Sequence, residues 1–178
     1  MKKKWLAGIL CILICCGCSK SIVLQKQTFT IELGEDVYAN PALYVKDAEK
    51  VNVSKMKVIC KTSGVNKKDN RFVTGNQDYL VTGEYDFVLE TGNQDISFKI
   101  KIKDTKPPTV QKTVHEVNVT SGSLVDWSSY FPATDISGVS YSTSPVLDTT
   151  NPGDYTVMVK IADRFGNGSE YEVVVHVL

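Results

Sequence analysis

Asn151-Pro-Gly-Asp-Tyr-Thr-Val-Met-Val-Lys-Ile-Ala-Asp163-Arg-Phe-Gly-Asn-Gly168 reads as a turn, a strand and a second turn. Asn-Pro-Gly is reversal chemistry: Pro fixes one dihedral and Gly permits the change of direction. Tyr155, Val157, Val159 and Ile161 then fall on one face at period two, with Thr156, Met158 and Lys160 on the other. Behind the turn at Asp163–Gly168, Tyr171, Val173, Val175 and Val177 alternate again. This is the pattern of a β-hairpin with one buried face. The pattern occurs twice. Gly83-Glu-Tyr85 leads into Phe87 and Leu89, Thr91-Gly-Asn-Gln94 turns the chain, and Ile96, Phe98, Ile100 and Ile102 return.

The rest of the chain can be set out around this repeated hairpin. In the first copy Phe29, Ile31 and Leu33 alternate up to Gly34. Ile22–Leu24 and Tyr79–Val81 read as short strands, Val51–Lys61 as a long one, and Gly64–Asn70 as a polar turn. In the second copy Val117 and Val119 precede Gly122, Asp126 can cap a single helical turn at Trp127-Ser-Ser, and Val139–Ser142 and Val146–Leu147 read as strands. The longer spacing from Gly34 to Gly83 than from Gly122 to Gly153 places an insertion in the first copy, within residues 60–78. Pro107-Pro108 excludes helix and central strand, and holds the chain extended as a stiff linker. The expected organisation is a first module over residues 22–104, a linker over 105–109 and a second module over 107–178.

Composition narrows the function. The 178-residue chain carries 20 basic and 20 acidic residues. Without residues 1–17, which hold three lysines and no acid, the balance is 17 to 20, or −3. No basic field is present to recruit nucleic acid. Lys2-Lys3-Lys4 and the apolar run Trp5–Cys16 form the n- and h-regions of a secretory signal. The run falls short of the about twenty residues that span a bilayer.

Ile14-Cys15-Cys16-Gly17-Cys18-Ser19 resembles the cleavage region of bacterial lipoprotein signal peptides, in which a small residue precedes the modified cysteine. The resemblance implies a signal peptide over residues 1–17, a lipidated tether over 18–21, and Cys18 as the acylated mature N-terminus. Cys16 is the alternative cut site. The implied partner is a membrane, reached through a palmitate-type anchor on the extracytoplasmic face. Two or more acyl chains are needed because one alone binds only marginally.

A second resemblance covers nearly all of the second module. Asp104-x-x-Pro107-Pro108, Gly122, Val125-Asp126, Tyr130-Phe131-x-Ala133-x-Asp135-x-Ser137-Gly138, Pro152-Gly153-x-Tyr155 and Ala162-Asp163-x-x-Gly166-Asn167 are similar to the immunoglobulin-like repeats of bacterial surface proteins. The first module keeps Gly34 and Gly83-x-Tyr85 but lacks the Asp-x-x-Gly-Asn turn. The resemblance implies an all-β protein of two tandem immunoglobulin-like β-sandwiches, with Tyr85 and Tyr155 as tyrosine corners.

Site chemistry is sparse. His115 and His176 are the two histidines, and no Cys or His pair has zinc spacing. No Gly-x-Ser-x-Gly or phosphate-binding loop occurs, and no cofactor is implied. Cys60 alternates with Met56 and Val58 and reads as a small buried hydrophobe. Asp126, Asp135 and Asp163 are candidate calcium ligands, weighed against the favoured alternative that each carboxylate caps its own turn. Trp127 and Tyr141 are weighed as a sugar platform against core packing, and Lys61, Lys67, Lys68 and Arg71 as an anion contact against a solvated loop. The expected function is a non-catalytic cell-surface lipoprotein, acting in binding, adhesion or spacing on a surface protein or wall glycan. The alternative is an accessory carbohydrate- or wall-binding subunit of an enzyme or transporter system.

Overall fold

The structure, a computed structural model, describes residues 21–178. The signal run and Cys18 lie outside the described residues. The chain is all-β. Its first half contains β1 (Thr28–Glu32), β2 (Val37–Tyr38), β3 (Lys57–Cys60), β4 (Val65–Lys68), β5 (Arg71–Thr74), β6 (Gly83–Glu90) and β7 (Asp95–Lys103). Its second half contains β8 (Thr109–Val110), β9 (Glu116–Val119), α1 (Trp127–Tyr130), β10 (Ala133–Thr134), β11 (Ser140–Ser144), β12 (Gly153–Ala162) and β13 (Gly168–Val177).

The duplication seen in sequence is a duplication of topology. One sheet runs β1-β7-β6-β3 and another runs β9-β13-β12-β11. In each, the closing hairpin is central, the first strand joins its second arm in parallel, and a later strand joins its first arm antiparallel. Register follows the alternation, with Tyr85 opposite Ile100 and Phe87 opposite Phe98 in one hairpin. Tyr155 faces Val175 and Val157 faces Val173 in the other. A one-residue slip would turn each aliphatic row to water, so burial fixes the register.

Both rows face inward. Leu89, Ile100, Val159, Ile161, Val173 and Val175 have no exposed surface, and each such burial contributes about 1.5–3 kcal/mol. The covering layers differ. In the first half a second sheet, β2-β5-β4, brings Phe72 edge-on to Phe87 at 5.0 Å, and Phe87 stacks on Phe98 at 5.5 Å. In the second half the opposing sheet is only β10-β8. There the turn at α1 supplies the missing cover. Phe131 is fully buried 5.4 Å from the Tyr171 ring, with Trp127 beside it. Asp126 starts that turn by accepting the Ser128 N–H at 3.0 Å.

Several local expectations are corrected. Ile22–Leu24 forms no strand and makes only the single bridge Leu24 to Val45. The long strand expected over Val51–Lys61 is shortened to Lys57–Cys60. Asn52 caps a 3-10 turn at Val53–Lys55, and its side chain competes with strand pairing. Val65–Lys68, within the polar stretch read as a turn, is strand β4, because its backbone pairs with β5 from Val65 to Lys68 whatever its side chains. Tyr79–Val81 and Val146–Leu147 are outside strands. Leu80 is nevertheless buried, and Val146 is 87% exposed. The β4–β5 hairpin lies within residues 60–78, where the extra length of the first copy was expected.

Candidate functional site at the module junction

The second half's hairpin turn is built on one carboxylate. Asp163 Oδ1 accepts the backbone N–H groups of Phe165 and Asn167, both at 2.8 Å. Its Oδ2 accepts Asn167 Nδ2 at 2.7 Å. The same Asn167 amide also donates to the Asp104 carbonyl at 3.1 Å, so the turn grips the segment leaving β7. Asp163 is only 4% exposed. Burial pushes its carboxyl up, but the donors from Asn167 and Phe165 outweigh burial and hold it below the ordinary aspartate value.

Asp135 caps its own turn. Its Oδ1 accepts the Ser137 N–H and hydroxyl, each at 2.7 Å. Strand β10 pairs with β8 just after Pro107-Pro108, and that pairing brings Asp135 to the junction. Asp104, Asp135 and Asp163 each present a carboxylate oxygen, and these oxygens lie within 4.8 Å of one another. Asp104 Oδ2 is shut off from solvent and, among the described residues, accepts no hydrogen bond. Among the described residues no Lys, Arg or His nitrogen pairs with any of the three. Lys106, in the same cleft, reaches Glu35 instead, at 3.7 Å.

Carboxylates this close together repel one another where they are ionised. Asp104 and Asp135 border a cleft of about 350 Å³ between the two halves, lined also by Leu33, Pro107 and Ile136. Other contacts lie at the same junction. Thr105 donates its N–H and hydroxyl to the two oxygens of Glu32, at 2.7 and 2.8 Å. The Thr105 N–H is the main cause holding the Glu32 carboxyl below its usual value. Ile136 Cδ1 lies 3.0 Å from where a Cβ on Gly34 would sit, and Gly34 has φ +84°. The contact and the dihedral both call for glycine there.

The structure therefore brings Asp135 and Asp163 together and leaves Asp126 at its helical turn. The third member, Asp104, was missed as a ligand. Its signal was its place in Asp104-x-x-Pro-Pro, the motif that marks the linker. Gly166 lies inside the Asp163 turn, Pro107 is exposed and Pro108 buried ahead of β8, and Gly153 opens β12. Tyr85 and Tyr155 both have tyrosine-corner geometry. Their hydroxyls donate to the carbonyls of Val81 at 2.8 Å and Asn151 at 3.0 Å, four residues upstream in each case.

The remaining candidates are structural. Trp127 is core, and the half-buried Tyr141 ties its hydroxyl to the Phe131 carbonyl at 2.8 Å. Within the basic group, Lys68 pairs with Asp78 at 2.6 Å and Arg71 with Asp36 at 2.7 Å. Cys60 is half-buried, and burial pushes its thiol up, away from nucleophilic character. His176 faces outward with Nδ1 2.7 Å from Asp154.

No protein-family model matches the chain, and no curated protein matches its sequence. Solved structures with a similar arrangement include the immunoglobulin domains 1–4 of Sidekick-1 (TM-score 0.35, 11% identity, 89% of this chain and 48% of that one). The protocadherin GammaB4 extracellular domain gives 0.31 and 12%, over 89% of this chain and 32% of that one. Fibronectin(III)-like modules of Clostridium thermocellum CbhA give 0.30 and 14%, over 88% and 93%. The chain thus spans about a third to a half of the first two. Among the described residues, no helix is long and apolar enough to cross a membrane.

Proposed function

We propose that this chain is an extracytoplasmic lipoprotein that acts without catalysis, as a spacing and binding element carried on lipid at Cys18. Residues 22–104 and 107–178 form its two immunoglobulin-like modules. The observation that carries the spacing role is the bonded junction: Asn167 bonds to Asp104 and Ile136 packs against Gly34 across the Pro-Pro linker, while Thr105 ties the start of the linker to Glu32 of the first half. A spacer must keep its modules from collapsing onto one another, and bonds on both sides of the linker serve that need. The binding role is supported by open sheet edges at β3, β11 and β4, where main-chain groups are free to pair with an added strand.

The test is crosslinking in intact producing cells, with the full chain as bait. A surface protein or wall polymer captured by the wild type, and lost on Pro substitution in the β11 edge, is the expected result. Turnover of a glycan or peptide by the purified full chain, abolished by a single loop substitution, would overturn the non-catalytic reading.

A further inference from the structure

Nothing in the fold requires three carboxylates to converge. Each of the two turns is already closed by one oxygen of its own aspartate, Asp135 Oδ1 and Asp163 Oδ1. Among the described residues, Asp135 Oδ2 and both oxygens of Asp104 accept no hydrogen bond, and Asp163 Oδ2 accepts only the Asn167 amide. Of these, Asp104 Oδ2 is also sealed from solvent, with no donor among the described residues. Asp163 is more than nine-tenths buried, and among the described residues no cationic side chain pairs with it. A buried acceptor without a donor and a buried charge without a counter-charge are each costly, and native folds rarely keep either unless something is bound.

We propose that Asp104, Asp135 and Asp163 form a binding site for a hard divalent cation of the calcium class, which braces the first module against the second. The donor set is all oxygen, which selects calcium over the nitrogen- and sulfur-seeking metals. Three side chains supply about half of the six to eight oxygens that calcium takes, leaving water and main-chain carbonyls to complete the shell. Magnesium demands a tighter octahedron and fits such a loose set poorly. The ligands come from both sides of the linker, Asp104 just after β7 and the other two from turns of the second half. Binding therefore couples the halves, as well as stabilising one of them. With so few protein ligands the affinity belongs in the range of about 10⁻⁴ to 10⁻³ M found for extracellular modules. The inference does not depend on lipid anchoring or on any partner.

The experiment is thermal unfolding of the full chain in detergent, first in EDTA and then with calcium to about 10 mM. At that affinity the cation raises the folded-to-unfolded ratio about 10- to 100-fold, and the midpoint climbs with concentration. Asp104→Asn should lose that response. In EDTA it should be at least as stable as the wild type, because it removes one charge from a repelling trio, a result that a merely damaged fold would not give. Asp126→Asn, outside the cluster, should keep the full calcium response. Three results would overturn the site: a midpoint unmoved by calcium, an Asp104→Asn variant that responds like the wild type, or an equal response to magnesium.

Discussion

Tyr85 and Tyr155 occupy the same place in the two repeats, yet the structure assigns them different weights. Tyr85 is 6% exposed and donates to the Val81 carbonyl at 2.8 Å, with Thr74 Oγ1 3.4 Å away. Tyr155 is only half-buried, and its bond to the Asn151 carbonyl at 3.0 Å lies where water can replace it. Tyr85→Phe removes one buried hydrogen bond and costs about 1 kcal/mol. Tyr85→Ala adds the lost ring and a cavity, and costs about 3–5 kcal/mol. Tyr155→Phe should cost less than about 0.5 kcal/mol, and Tyr155→Ala about half the Tyr85 value, because the penalty follows the area withdrawn from water. In a domain of this size 1 kcal/mol moves the midpoint by about 4–8 °C, so Tyr85→Ala should lower one transition by more than about 10 °C. Scanning calorimetry of the full chain reads this directly. If the halves unfold separately, Tyr85 variants move one transition and Tyr155 variants the other. Equal losses at the two tyrosines, or no loss at Tyr85→Ala, would refute the burial argument.

Other expectations follow from single contacts. Gly168→Ala would set a Cβ 2.7 Å from the Ile161 carbonyl and 2.9 Å from Ala162 Cβ, so it should cost about 1–3 kcal/mol in a denaturant titration. An unchanged midpoint would contradict the pairing of Ala162 with Gly168. Asp154 beside His176 raises the imidazole's pKa, so this pair stabilises the fold fully below the unfolded value near 6.5, and the benefit fades as pH rises through the folded value. His176→Gln should therefore lower the midpoint more at pH about 5.5 than at about 8.5, and the reverse order would sink the assignment. Lys101 and Lys99 hold the Glu84 carboxyl down at about 2, so its contribution is present above the unfolded value near 4.5 and is lost as pH falls toward about 2. Glu84→Gln should flatten the acid limb of the pH–midpoint curve, and an unaltered limb would count against that ion-pair network.

Much of this fold could be read from the sequence because the strands that matter have one wet face and one dry face. Tyr171, Val173, Val175 and Val177 show that period in the chain, and the structure buries the last three completely or nearly so. Where that contrast is missing, the reading fails. Val65–Lys68 carries three polar residues in a row and is a strand only because β5 pairs with it. Val146–Leu147 is apolar yet belongs to no strand. The parallel pairing of β1 with β7 and of β9 with β13 leaves no local trace, because it joins segments far apart in the chain. The carboxylate cluster was half legible. Asp135 and Asp163 could be picked out as loop acids, but each turn explains its own aspartate by local capping. Only the tertiary approach of the linker adds Asp104 and leaves one oxygen without a donor.

The proposed function rests first on the proposed lipid at Cys18, which would tether the chain to a membrane surface. Intact-mass and peptide spectrometry of the mature protein from producing cells measures this most directly. The account predicts an N-terminal peptide beginning at Cys18 and carrying a diacylglyceryl group, with Cys18→Ala giving no lipidated form. A mature chain that begins elsewhere without lipid, or that keeps residues 1–17, would contradict it.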